Sequence, residues 1–174
     1  AYMGESSGAA KCVTVHYKQA DGNMTHRETY YITSGKKKGQ KTYYVKDGKK
    51  HALPGSEMMD NLAIIAAGKR LAQLSPADKV VKLMNWTTRK EENQTVPVLT
   101  ELMGKPVRVG ITLREENKRK KAGDDYVDTN DKREFNEKQK LFHANGMTVP
   151  EKTAGVKAPA FIDDWNKKYP ADYV

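Results

Sequence analysis

Apolar and polar residues alternate across Lys11–Lys18, with Val13, Val15 and Tyr17 on one side and Cys12, Thr14 and His16 on the other. That period of two predicts a β-strand. Residues 1–10 are small and flexible in type, and Ala20-Asp21-Gly22-Asn23 is a turn signal that leads into a second strand over 25–33. Residues 27–50, RETYYITSGKKKGQKTYYVKDGKK, hold two near-mirror strand patterns around Gly35-Lys36-Lys37-Lys38-Gly39, and they predict a hairpin folded about Lys37. Folding there sets Tyr31 opposite Tyr43 and Tyr30 opposite Tyr44, and Asp47-Gly48 ends the third strand. One face then carries Arg27, Thr29, Tyr31, Thr33, Lys41, Tyr43 and Val45. The other carries Tyr30, Ile32 and Tyr44 with Glu28 and Lys46, which can pair at the open end. Its extra apolar residue assigns the second face to the interior.

After Leu53-Pro54-Gly55 the period changes. Met58, Met59, Leu62, Ile65, Ala66 and Leu71 recur at helical spacing behind Ser56 as N-cap. Ser75-Pro76-Ala77-Asp78 resembles a single helical turn, with a strand over 79–88 following it. Residues 91–94 read as polar loop, and Pro97 marks the next extended stretch as an edge or an irregular extension. The clearest strand covers 105–115, with Val107, Val109, Ile111 and Leu113 on a core face and Arg108, Gly110, Thr112 and Arg114 on the other. The strongly charged 117–131 stretch predicts a mobile loop. Residues 135–149 return to extended structure with a turn at Asn145-Gly146. Residues 158–170 form a helical clasp, opened by Pro159, with Phe161, Ile162, Trp165 and Tyr169 as one apolar stripe. Three strands, a helix and at least two more strands predict a mainly β chain. The order is that of the oligonucleotide-binding fold, a five-stranded Greek-key barrel with a helix between strands 3 and 4, here with an extra hairpin and a short C-terminal helix. One domain over 1–174 is expected.

Charge narrows the partner. Lys and Arg number 31 against 22 Asp and Glu, a net charge of +9 that favours a polyanion. The longest apolar run, around residues 62–67, falls far short of the roughly 20 residues of a membrane span, so no membrane partner is expected. A single cysteine, Cys12, excludes an intramolecular disulfide and a cysteine-based zinc cluster, and it fits a reducing, intracellular setting. His16, His26, His51 and His143 lie at no metal-site or triad spacing, and no phosphate-binding glycine loop is present. Asp124, Asp125, Asp128 and Asp131 are the one set able to gather magnesium, although solvated counter-charge is the ordinary reading of acids among lysines. No catalytic residue, metal or cofactor is therefore assigned.

Rings set among cations suit a sequence-tolerant binder of single strands, since bases stack on rings while ammonium groups follow phosphates. The candidate nucleic-acid residues are Arg27, Tyr31, Lys36, Lys37, Lys38, Lys41, Tyr43, Lys46, Lys49, Lys50, Arg108 and Arg114, backed by Tyr30, Tyr44, Lys118 and Arg119.

The segments RETYYITSGKKKGQKTYYVKDGKKHALPG (27–55), VVKLMNW with VPVLTELMGKPVRVGI (within 80–111), YVDT (126–129) and FIDDWNKKY (161–169) resemble, in order and combined length, the single-stranded DNA-binding proteins of podovirus-type bacteriophages that package a virion RNA polymerase. The resemblance covers most of the chain. It implies an oligonucleotide-binding fold and a non-enzymatic protein that coats unpaired strands in phage replication and recombination, in the cytoplasm of the infected bacterium. It also implies contacts with phage replication or transcription proteins through a flexible acidic terminal tail. Asp172-Tyr173-Val174 is no such tail, and with the non-Met start the sequence reads as a trimmed core. The rival readings are a metal-dependent nuclease using the acidic residues and an RNA-binding module.

Overall fold

The structure, a computed structural model, describes residues 1–22, 25–85, 87–123 and 125–170, excepting the side chains of Thr25, Lys138 and Gln139. The chain is mainly β and divides into two compact units, Ala1–Pro106 and Val107–Val174.

The first unit is built on an antiparallel sheet of five strands in the order β3-β2-β1-β7-β6. These are β1 (Tyr2–Glu5), β2 (Lys11–Lys18), β3 (Thr25–Tyr31), β6 (Ala77–Asn85) and β7 (Lys90–Val98). The short strands β4 (Tyr43–Lys46) and β5 (Lys49–Ala52) form a separate hairpin, and helix α1 (Pro54–Ala67) follows them. α1 therefore enters between the third and fourth strands of the sheet, where the element order predicts a helix. Among the described residues no pairing closes the sheet, so the expected barrel is absent from these pairings.

Several local expectations are corrected. Residues 2–5 are strand rather than flexible leader. Ser6 closes the turn to β2, its backbone N–H donating to the Ala10 carbonyl at 2.9 Å and its Oγ accepting from the Ala10 N–H at 3.1 Å. The helix begins at Pro54 with Leu53 as N-cap, so Ser56 lies inside it. Ser75-Pro76 starts no helix, because β6 is already extended at Ala77. Residues 91–94, expected as loop, are the centre of β7, paired with β6 from Met84↔Glu91 to Val81↔Gln94. Pro97 pairs with Asp78 at a point where β7 has no second neighbour, because β1 reaches only Val98. A residue that cannot donate a ladder hydrogen bond is tolerated there.

Residues 12–15 of β2 are buried on both faces, whereas β3 alternates, with Tyr30 buried and Thr29 and Tyr31 exposed. Val13, Val15 and Tyr30 are buried on one face, and α1 packs against β3 with Met59, Leu62 and Ala63 buried. Gly55 makes that approach possible: a Cβ there would meet the Tyr31 carbonyl oxygen at 2.3 Å and its nitrogen at 2.9 Å.

The second unit is a long antiparallel ribbon, β8 (Val107–Ala122) with β9 (Asp125–His143), followed by α2 (Val149–Thr153) and α3 (Phe161–Lys168). Sixteen residues of β8 span roughly 50 Å at strand rise. The charged 117–131 stretch is thus the outer part of a hairpin and not a loop. Charges along the ribbon interlock across the strands: Arg119–Asp128 (2.7 Å) within that stretch, and Arg114–Glu137 (2.9 Å), Lys132–Glu115 (2.5 Å) and Arg133–Glu116 beside it. Opposite charges facing each other favour such pairing.

Residues beyond His143 leave the extended state expected for 135–149, turning at Asn145-Gly146 and entering α2. Glu151 organises this end. One carboxylate oxygen accepts from the Ala160 and Phe161 N–H groups (2.9 and 2.8 Å), and the other from the Thr148 N–H and hydroxyl (both 2.8 Å). Four donors favour the charged form and hold its carboxyl down to about 2. Helix α3 starts at Phe161, two residues after Pro159, and its stripe packs as expected. Phe142, fully buried, lies 6.3 Å from both the Phe161 and Trp165 ring centroids. Trp165 rests on the backbone of Gly110, where a Cβ would come within 2.9 Å of the indole.

Candidate nucleic-acid interface

The predicted hairpin between the two Tyr-Tyr segments does not form. β3 pairs with β2, setting Tyr30 opposite Val13 and Tyr31 opposite Cys12, while Tyr43 and Tyr44 pair with Ala52 and His51 across the Asp47-Gly48 turn. Asp47 and Gly48 both take positive φ (51° and 72°), the conformation of the tight turns that best match strand twist. Lys36–Lys38 form a single 3-10 turn instead of a hairpin tip.

The split between neighbours Tyr30 and Tyr31 holds, because alternation within β3 does not depend on its partner. Tyr30 is 6 % exposed; its hydroxyl donates to Glu28 Oε2 (2.7 Å) and lies 3.3 Å from that of Tyr17. The open end expected to bring Glu28 and Lys46 together does not form, because β3 and β4 belong to different sheets, and Glu28 Oε2 lies 3.5 Å from His26 Nε2. Tyr31 is 52 % exposed. Tyr44 corrects the assignment of its pair to the interior: it is 43 % exposed and stacks on His51 at 5.4 Å. Tyr43 is half-buried, with the ammonium groups of Lys50 and Lys41 at 4.7 and 5.9 Å from its ring centre.

Register places Tyr31, Thr29 and Arg27 of β3 on one sheet face with Cys12, Thr14 and His16 of β2 and Tyr2 of β1. Cys12 and Thr14 are buried there, whereas Tyr31, Thr29, Arg27 and His16 are exposed. Arg27 donates to the Tyr2 hydroxyl at 3.1 Å, and the Tyr2 and His16 rings lie 5.9 Å apart. Burial, then the neighbouring Arg27 charge, push the His16 pKa below its ordinary value, which favours the neutral ring. Tyr2 and His16 were missed in the sequence. Tyr2 stands in a stretch without strand periodicity, and nothing local says that β1 lies beside β2.

The basic segment is held in place. Lys36 N–H donates to the Gly8 carbonyl (2.9 Å), Gln40 Nε2 to the Ala9 carbonyl (2.7 Å), and Ser34 N–H to the Lys41 carbonyl (2.8 Å). The last bond ties the end of β3 to the start of β4, so Tyr31 and Tyr43 flank one fixed loop. Lys36, Lys37, Lys38, Lys41, Lys46, Lys49 and Lys50 are all exposed, and none has a carboxylate partner among the described residues. Asp47 is the one acid within 36–50.

The remaining candidates lie in the second unit. Arg114 and Arg119 are held by Glu137 and Asp128, which raises the pKa of both through the carboxylate hydrogen bond first and its charge second. Lys118 is exposed on the ribbon, its carbonyl accepting from the Thr129 hydroxyl. Arg108 is exposed, and its strand face, opposite the expected core face, is the one α3 covers at Gly110. Of the acids considered for magnesium, Asp124 lies outside the described residues and Asp128 is bound to Arg119. Among the described residues no three metal-ligating side chains converge, and no helix is long and apolar enough to cross a membrane.

No family of known proteins, no curated protein and no solved structure matches the chain.

Proposed function

We propose that this chain is a single-stranded DNA-binding protein of a bacteriophage, coating unpaired strands in the infected cell without making or breaking a bond. The observation that carries the reading is the exposed row Arg27, Thr29 and Tyr31 on β3 beside the anchored lysine loop. Tyr31 stands exposed in line with Arg27, and Tyr43 sits between two lysines. Exposed rings take unstacked bases, and neighbouring cations take phosphates. The entry of α1 between the third and fourth sheet strands supports an oligonucleotide-binding relationship for the first unit.

The test is a titration with labelled oligonucleotides at several salt concentrations. About 4 to 6 phosphates neutralised by lysines and arginine give a log–log slope of roughly −3 to −4. Single strands are expected to bind more tightly than duplex. A flat salt response, or equal affinity for duplex, sinks the proposal. Magnesium-dependent cutting of the same oligonucleotide turns the reading to a nuclease, and preference for RNA turns it to an RNA-binding module.

A further inference from the structure

The second unit contains a groove of about 620 Å³ between β8 and α3. That volume falls within the roughly 300–1,000 Å³ of sites that take small ligands. Trp165 and Tyr169 line it, their ring centres 4.4 Å apart. Arg108 and Lys168 stand at its edge, both exposed and without carboxylate partners among the described residues, and Lys168 Nζ lies 5.2 Å from the Tyr169 ring centre. Asn136 and Asn166 add two side-chain amides, groups that offer both donors and acceptors.

The groove is built. Gly110 provides the space for the indole, Phe142 supports Trp165 edge-on, and the Glu151 carboxylate fixes the backbone at the start of α3. Trp165 and Tyr169 are half-buried, so each ring packs on one side and lines the groove on the other, together with Arg108 and Lys168.

We propose that this groove is a second nucleotide site, taking a base of single-stranded DNA against Trp165 and Tyr169 with its phosphate at Arg108 and Lys168. The inference rests on the proposed DNA-binding reading and adds a site to it. Charge selects the occupant: the two edge cations favour a polyanion, and rings beside amides favour a base over a plain anionic peptide.

Photo-crosslinking of the whole chain to an oligonucleotide carrying 5-bromouracil, with the adduct mapped by mass spectrometry, tests it without altering the fold. Adducts are expected on Trp165 or Tyr169. Arg108→Ala is expected to reduce the steepness of the log–log salt slope by about 0.7, the loss of one phosphate contact on a single strand. Adducts confined to residues 1–106, with an unchanged slope in Arg108→Ala, overturn the groove site while the first-unit reading stands. Absence of any binding by anisotropy defeats both readings together.

Discussion

Neighbouring residues on opposite faces of β3 offer the sharpest experiment. Tyr30 is 6 % exposed and hydrogen-bonded to Glu28, whereas Tyr31 is 52 % exposed and packs no core. Truncating a large buried aromatic costs about 3 to 5 kcal/mol through lost transfer energy and the cavity left behind. At about 4 °C per kcal/mol for a unit of this size, Tyr30→Ala should lower the melting temperature by roughly 12 to 20 °C. Tyr30→Phe keeps the ring and removes the hydroxyl, for about 1 to 2 kcal/mol. Tyr31→Ala should move the melting temperature by no more than about 2 °C, since exposed substitutions stay within about 0.5 kcal/mol. It should instead weaken single-strand binding by about 1 to 3 kcal/mol, roughly five- to 150-fold. Tyr44→Ala belongs with Tyr31→Ala, because its ring is exposed on His51 and not part of the interior. Calorimetric melting and fluorescence anisotropy on all four variants decide the matter. If Tyr31→Ala melts like Tyr30→Ala while retaining DNA affinity, the open-face reading is refuted.

Three further outcomes are expected. Gly55→Ala forces a methyl against the Tyr31 backbone at 2.3 Å and should destabilise the first unit by about 1 to 3 kcal/mol, measured by urea unfolding; a neutral result would mean that α1 does not press on β3. Gly48→Ala meets no atom within 4 Å, so its cost is the left-handed backbone alone, about 1 to 2 kcal/mol confined to the β4–β5 hairpin. Hydrogen exchange should quicken at residues 43–52 and not in β2. The Glu151 carboxyl is held near 2 against an ordinary 4.5, so its contribution to the second unit is complete above pH 4.5 and is lost as pH falls through 2. Amide protection at Ala160 and Phe161 should fade across that window, and Glu151→Gln should abolish the pH dependence.

Features written in short-range periodicity were legible before any fold was known. Alternation across Lys11–Lys18 specified β2, helical spacing specified α1 with its N-cap three residues late, and the Phe161, Ile162, Trp165 and Tyr169 stripe specified α3. The inward turn of Tyr30 and outward turn of Tyr31 followed from the period of a strand alone. Two signals were present but outweighed. Asp47-Gly48 is a strong tight-turn dipeptide, yet the symmetry of the tyrosine pairs around Lys37 suggested the wrong hairpin. Thr148-Val149-Pro150-Glu151 has the spacing of a capping box within a stretch expected to be extended.

Strand partnership was decided only by the tertiary structure. β3 presents the same residues to β2 or to β4, and burial of both Val13 and Tyr30 on one face beneath α1 favours the first pairing. The charged 117–131 stretch illustrates the same limit: composition alone reads it as solvated loop, and its extended state depends on the strand laid beside it, where Arg119 meets Asp128. Local sequence sets where a side chain points relative to its own backbone. Which backbone lies beside it is a property of distant residues, and so Tyr2 and His16 joined the candidate face only once β1, β2 and β3 were side by side.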